Sequence, residues 1–289
     1  MGGRLAEVQR DPGLSDRPPL PLGERPGERR RWFSRGLPWS KARPNMTGPE
    51  REDGAPWRNF YGRRHGKTLR KGQKNLLETR LAELAPPGAS WDENPERNPI
   101  DLPALFPATD TGVREIWLEI GFGGGEHMLA MAAAHPDIGL IGCEAYINGV
   151  AMLLAGVERS GVENLAIHPG DARDLMDVLP DGSIAQVFLL YPDPWPKKRH
   201  HKRRFINPEN LDQLARIMAP GAILRLATDI GDYVRHSLEV MGRDRRFAWL
   251  AQRPVDWRAP WPGWPGTRYE AKALQEGRTP NYLSFERIS

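Results

Sequence analysis

From residue 113 onward, short apolar runs alternate with segments of helical periodicity, and this pattern restricts the fold more than any other feature. The runs REIWLEI (114–120), IGLIGCE (138–144), NLAIHPGD (164–171), IAQVFLLYPD (184–193) and AILRLATD (222–229) are strand-like. Between them lie EHMLAMAAAH (126–135), INGVAMLLAGVERSG (147–161), NPENLDQLARIMAPG (207–221) and GDYVRHSLEVMG (231–242), which read as helices. In the second of these, Ile147, Val150, Leu154 and Val157 form one apolar face and Gly161 closes the helix. Strands this apolar need cover on both faces, so the alternation predicts an α/β fold with a doubly wound, mostly parallel sheet. FAWLAQ (247–252) and NYLSFERI (281–288) are predicted closing strands, which brings the sheet to seven. In such sheets ligands bind beyond the carboxyl ends of the strands. There the sequence places Glu119, Glu144, Asp171, Asp193 and Asp229. Any one of them reads equally well as a helix cap, but five in succession point to a polar ligand.

Charge adds a partner to this frame. Among 289 residues, 41 Lys and Arg stand against 37 Asp and Glu, a net charge of +4. Spread evenly, that excess would not implicate nucleic acid, whose affinity requires several phosphates neutralised on one surface. It is concentrated instead. Residues 59–77 hold Arg63, Arg64, Lys67, Arg70, Lys71 and Lys74 with no acid, and residues 197–204 (KKRHHKRR) hold six more cations with His200 and His201. Removing those twelve cations from +4 leaves −8 for the remainder.

Residues 1–58 contain nine Pro, eight Gly, twelve Arg or Lys and eight acids without a sustained apolar period, which predicts a disordered extension. Residues 59–110 read as a basic arm and linker, helical where Leu76, Leu77, Leu81 and Leu84 recur and Pro-rich without a clear element over 86–110. Residues 111–289 are the predicted main domain. The N-terminus has no apolar secretory region, Ala6 departs from a myristoylation signal, and no run approaches a membrane span. The single cysteine, Cys143, can form neither an internal disulfide nor a zinc site. A cytoplasmic protein without membrane or metal is expected.

The segment LEIGFGGGEH (118–127) carries the first chemistry. Gly121 and Gly123 permit a sharp turn and close approach of a ligand. Counted from Gly121, a dinucleotide fingerprint would require Gly or Ala at position 126, where this chain has Glu126. Glu119 would repel a pyrophosphate and attract an ammonium, so S-adenosyl-L-methionine (SAM) suits the loop better than a nicotinamide dinucleotide. Glu144 stands where a carboxylate takes both ribose hydroxyls, and Asp171 or the neighbouring Ala172 amide can read the adenine edge.

The second motif is YPDPWPKKRHHKRRF (191–205), a stiff Pro-Asp-Pro-Trp turn running into the basic segment. The turn resembles the Asp-Pro-Pro-aromatic turns of methyltransferases that act on nitrogen. With LEIGFGGGEH, GCE (142–144), GDAR (170–173), ATD (227–229), TRYE (267–270) and GRTPNYLSFER (277–287), the chain from about residue 60 resembles the bacterial tRNA (guanine-N7-)-methyltransferases. The resemblance implies the Rossmann-like fold of SAM-dependent methyltransferases, with a reversed final strand. It also implies methylation of a guanosine to 7-methylguanosine, with tRNA as partner. Carried across by position, the cofactor contacts fall on Glu119, Glu144, Asp171 and Asp193. Substrate contacts fall on Lys197, Asp229, Thr267, Arg268, Tyr269 and Glu270. Residues 1–58 have no counterpart.

Guanine N7 already offers a lone pair, so the transfer needs alignment and charge stabilisation more than a base. Asp193 is the expected catalytic group, by electrostatics in preference to general-base action. Lys197 and Arg268 are expected to hold phosphates, as are Arg203 and Arg204; Asp229 is expected to select guanine. The loop VDWRAPWPGWPG (255–266), with three of the ten Trp residues, is expected to pack in preference to stacking on bases. Alternatives left open are a SAM-dependent methyltransferase of another substrate, a vestigial RNA-binding module and a nicotinamide dehydrogenase. Monomer and homodimer are equally allowed.

Overall fold

The computed structural model describes residues 58–106 and 112–288. Expectations for residues 1–57 lie outside the described residues. Seven strands form one sheet: β1 (Glu115–Ile120), β2 (Ile138–Cys143), β3 (Leu165–His168), β4 (Ile184–Leu190), β5 (Met218–Thr228), β6 (Phe247–Trp249) and β7 (Asn281–Arg287). Their order is β3-β2-β1-β4-β5-β7-β6. Pairings from β3 to β5 are parallel, whereas β7 runs antiparallel to both β5 and β6. This is the seven-stranded, mostly parallel sheet with an antiparallel closing strand that the sequence predicts. Every residue of β1 to β4 is buried, as expected of strands covered on both faces.

Helices cover the two faces. On one side α3 (Glu126–Ala134) and α4 (Ile147–Ser160) bury Met128, Leu153 and Leu154. On the other, α5 (Ala172–Val178), α6 (Pro208–Ile217) and α7 (Gly231–Met241) bury Leu175, Leu214 and Tyr233. Each such apolar side chain contributes about 1.5–3 kcal/mol on burial. Two short helices, α8 (Val255–Arg258) and α9 (Arg268–Gln275), precede β7. The helix predicted over 207–221 ends at Ile217, and Met218 already belongs to β5. Pro220 explains the difference, because it supplies no helical N–H and drives Ala219 into extended backbone. Helices α5, α8 and α9 are too short for apolar periodicity to predict them.

The arm is fastened to the domain. Its helices α1 (Lys71–Thr79) and α2 (Leu81–Leu84) bury Leu77 and Leu81 against the α3–α4 face. Upstream, the Ile147 N–H donates to the Arg64 carbonyl (3.0 Å) and the Gly66 N–H to Asn148 Oδ1 (2.8 Å). Arg58, counted by sequence with the extension, forms a two-pronged ion pair with Asp177 (2.5 and 2.8 Å). The Pro-rich stretch before residue 107 contains a 3-10 turn, Pro103–Leu105, and buries Ile100, Leu102 and Phe106 in the α5–α7 core. Its apolar residues are too sparse to show a period, yet Ala89, Ile100, Leu102 and Phe106 all find a place in that core.

His168 ends β3 with its Nε2 buried and without a hydrogen-bond partner among the described residues. Burial pushes its imidazole down from 6.5 to about 4. Between those values the unfolded chain binds a proton that the folded one refuses, so stability falls as pH drops from about 6.5 toward 4. The expected loss is roughly 3 kcal/mol. Urea unfolding of the wild type and His168→Gln across this range should show a shallower pH dependence in the variant; parallel curves would refute the assignment.

Candidate active site

The carboxyl ends of β1 and β4 open on one small cleft, lined by Glu119, Gly121, Phe122, Glu126, His127, Leu190, Thr267 and Tyr269. After β1 the chain turns through Gly121 (φ 73°), Gly123 (φ 58°) and Gly125 (φ 78°), a left-handed backbone that other residues adopt at a cost. Glu144, just past β2, fixes this turn. Its Oε2 accepts from the Gly123 N–H (2.8 Å) and its Oε1 from the Tyr146 N–H (2.7 Å). Desolvation raises the Glu144 carboxyl, the backbone donors pull it back, and neighbouring Asp193 adds to the rise. A carboxylate has about four lone-pair sites, so acceptor capacity remains for ligand hydroxyls.

Glu119 is 4% exposed and its Oε2 lies 2.6 Å from His127 Nδ1. His127, for which the sequence gives no signal of its own, is the second residue of α3 and lines the same cleft. Its ring packs against Phe188 (4.6 Å) and Trp264 (5.1 Å). Asp171 caps α5 through the Arg173 N–H (3.0 Å) and pairs with the Arg173 guanidinium. Burial would raise its carboxyl, but Arg173 holds it below the usual carboxylate value. The helix-cap reading therefore applies to Asp171, and the adjacent Ala172 amide opens α5.

Asp193 sits between Pro192 and Pro194 in a strained turn, with Tyr191 at φ 50° and Trp195 at φ 43°. Each such non-glycine residue costs about 1–3 kcal/mol and persists only where its surroundings enforce it. Asp193 is exposed, yet the surrounding protein desolvates its carboxyl enough to raise it, and no hydrogen bond among the described residues offsets the effect. Asp193 lies near enough for its charge to act on Glu144 and Tyr269, and on Tyr233 in α7.

The remaining predicted residues divide into two groups. Tyr269 projects from α9 over the glycine turn, within 3.0 Å of where a Gly123 side chain would begin. Arg268 pairs with Glu126 across the same turn, and Lys197 is exposed beside the Asp193 turn. Three others already have protein partners. Thr267 Oγ1 caps α9 by accepting from the Glu270 N–H (3.1 Å), and Asp229 pairs with Arg278. Buried Glu270 accepts from Trp264 Nε1 (2.5 Å) and from the Tyr282 hydroxyl. Trp261 and Trp264 pack edge-on against Tyr282 at 5.4 and 6.0 Å, so this part of the tryptophan-rich loop is packing, as expected.

One expectation is overturned. Arg204 was grouped with the phosphate contacts but is 1% exposed and held by Pro194 and Asp232. Within a run of cations, composition cannot distinguish the side chain that turns inward. Arg203 instead lies between two aromatic rings, 4.2 Å from the Tyr61 centroid and 5.0 Å from that of Trp195. It thereby joins the arm to the Asp193 turn and makes the two basic segments adjacent. Among the described residues, no group of three or more His, Cys, Asp or Glu is arranged to hold a metal, and no helix is long and apolar enough to cross a membrane.

A family model described as "Putative methyltransferase" matches residues 113–282. The tRNA (guanine-N(7)-)-methyltransferase of Roseobacter denitrificans is 60% identical over 232 residues, covering 80% of this chain and 97% of the relative. Proteins with the same name from Ruegeria sp. and Ruegeria pomeroyi are 57% and 59% identical, covering 84% of this chain and 93% and 99% of their own lengths.

Gly149, inside α4, also escaped the sequence reading. A side chain there would begin 2.1 Å from the Gly123 carbonyl oxygen, and backbone cannot yield as a flexible side chain can. Gly149→Ala should therefore displace the glycine turn while the helix is retained. The expected result is at least a tenfold loss of SAM affinity by calorimetry with an unaltered circular dichroism spectrum; unchanged affinity would show that the turn accommodates the methyl group.

Proposed function

Since this chain belongs to the tRNA (guanine-N(7)-)-methyltransferase family, we propose that it transfers the methyl group of SAM to N7 of a guanosine in tRNA, giving 7-methylguanosine. The observation that carries this reading is the junction at Tyr61, Arg203 and Trp195, which joins a polyanion-binding surface to the turn bearing Asp193. Arg63, Lys67, Arg70, Lys71 and Lys74 are exposed on the arm, and Lys197, Lys198, Arg199 and Lys202 on the second segment. The reading includes a cytoplasmic enzyme meeting tRNA along this surface.

Three carboxylates around a glycine turn suit a ligand with a cationic end and ribose hydroxyls, and they oppose a pyrophosphate. When bound, SAM supplies a methyl group on a sulfonium. In this reading Glu119, oriented by His127, holds the ammonium of the methionyl end. Glu144 keeps the turn in shape and accepts from the ribose, while the Ala172 amide meets the adenine edge. Tyr269 and Arg268 close over the turn, and Thr267 and Glu270 hold α9 where it can do so. Asp193 faces the reacting base. Its carboxylate has no ion-pair partner among the described residues and is partly desolvated by the protein around it, so its negative charge stabilises an imidazole ring that gains positive charge as the methyl arrives. No proton leaves N7, so a base is not needed for the transfer. Asp229, freed from or sharing Arg278, selects guanine at its N1–H and amino edge.

Labelled SAM and unmodified tRNA, followed by cleavage specific for 7-methylguanosine, should locate the label at N7; label on a ribose or on protein would refute the assignment. Asp193→Asn should lower kcat by about a hundredfold while tRNA affinity changes less than threefold. Neutralising Lys198, Arg199 and Lys202 together should weaken tRNA binding and reduce its log–log salt slope by roughly one per lost phosphate contact. An unchanged slope would leave these residues as an ordinary solvated surface.

A further inference from the structure

We infer that Arg204 is a positioning residue for the methyl transfer: its buried guanidinium holds the Asp193 turn in its reactive shape. The inference rests on the reading of Asp193 given above.

The turn cannot hold itself. Pro192, Pro194 and Pro196 have no N–H, so from 192 to 196 only Asp193 and Trp195 offer backbone donors. Tyr191 and Trp195, on either side of Asp193, are both left-handed at φ 50° and 43°. A turn that is strained at both ends and poor in donors keeps its shape only if donors come from elsewhere.

Arg204 supplies one. Its Nε donates to the Pro194 carbonyl at 2.9 Å, one residue beyond Asp193. The far side of the guanidinium pairs with the Asp232 carboxylate in the first turn of α7 and lies 5.3 Å from the Tyr233 ring centroid. The main chain of Arg204 is fixed as well: its N–H donates to the His201 carbonyl (3.0 Å), and its carbonyl accepts from Asn207 Nδ2 (2.8 Å). The planar fork thus spans two elements, and a lysine cannot copy it, because an ammonium lacks the fixed pair of directions. At 1% exposure, Arg204 is not placed to meet a phosphate.

A merely structural arginine would affect the amount of folded enzyme and leave turnover per folded molecule alone. The test is therefore a kcat-against-KM split. Arg204→Lys should lower kcat at least tenfold, with KM for tRNA and the salt slope of binding unchanged within twofold. Asp232→Ala, at a side chain 47% exposed, removes the outer anchor and should lower kcat at least threefold in the same sense. If Arg204→Lys fails to fold, Asp232→Ala decides alone. Wild-type kcat in either folded variant overturns the inference, as does a raised KM with a flattened salt slope. Asp193→Asn is assayed alongside. Wild-type turnover there would refute the parent reading, whereas a slow Asp193→Asn with a fast Arg204→Lys refutes this inference only.

Discussion

The contact on which the site depends is a buried carboxylate gripping backbone. Glu144 stands at the end of β2 and accepts from the Gly123 and Tyr146 N–H groups, so one side chain ties the turn after β1 to the start of α4. Parallel strands make this geometry available, because β1 and β2 deliver their carboxyl ends side by side, with Ile120 opposite Cys143. The cost is desolvation of a negative charge, visible in the raised Glu144 carboxyl and offset by the amide donors around it. Around that contact, Gly149 admits the Gly123 carbonyl, and Tyr269 lies over the other side of the turn. A rigid cradle results from groups that individually read as an acid, a glycine and an aromatic.

Much of this was legible in the sequence, for identifiable reasons. Apolar runs reveal buried parallel strands because both faces must be covered, so β1 to β4 and their terminal acids were readable. The glycine turn was readable because φ above zero demands glycine. What escaped was what periodicity and composition cannot encode. Met218 looked helical because the stop is set by Pro220 two residues later. Helix α9 has an amphipathic pattern too short to separate from loop, although its first residues cover the cleft. Gly149 resembled any tolerated helical glycine, and its necessity lies in a carbonyl from another segment. His127 lacked a signature because its partner Glu119 lies across the glycine turn.

Charge was the least transparent property. Neighbouring arginines in one run have opposite fates: Arg203 is held between aromatic rings at the surface, and Arg204 is sealed inside. Likewise Asp171, Asp193 and Asp229 follow strands in the same manner, yet two have arginine partners and Asp193 has none among the described residues. The unpaired acid among paired ones is the chemically informative one, and pairing is a tertiary fact.

The docking of the arm also bears on how the chain is made. Arg58 finds Asp177 119 residues later, and Gly66 finds Asn148 82 residues later. Domains emerge from the ribosome N-terminal end first, so these basic residues leave the exit tunnel long before their seats exist. During that interval an undocked cationic segment is surrounded by ribosomal and messenger RNA. Biogenesis thus poses a timing problem that the finished enzyme does not reveal: the arm that we propose meets tRNA is made first, beside a large excess of other RNA.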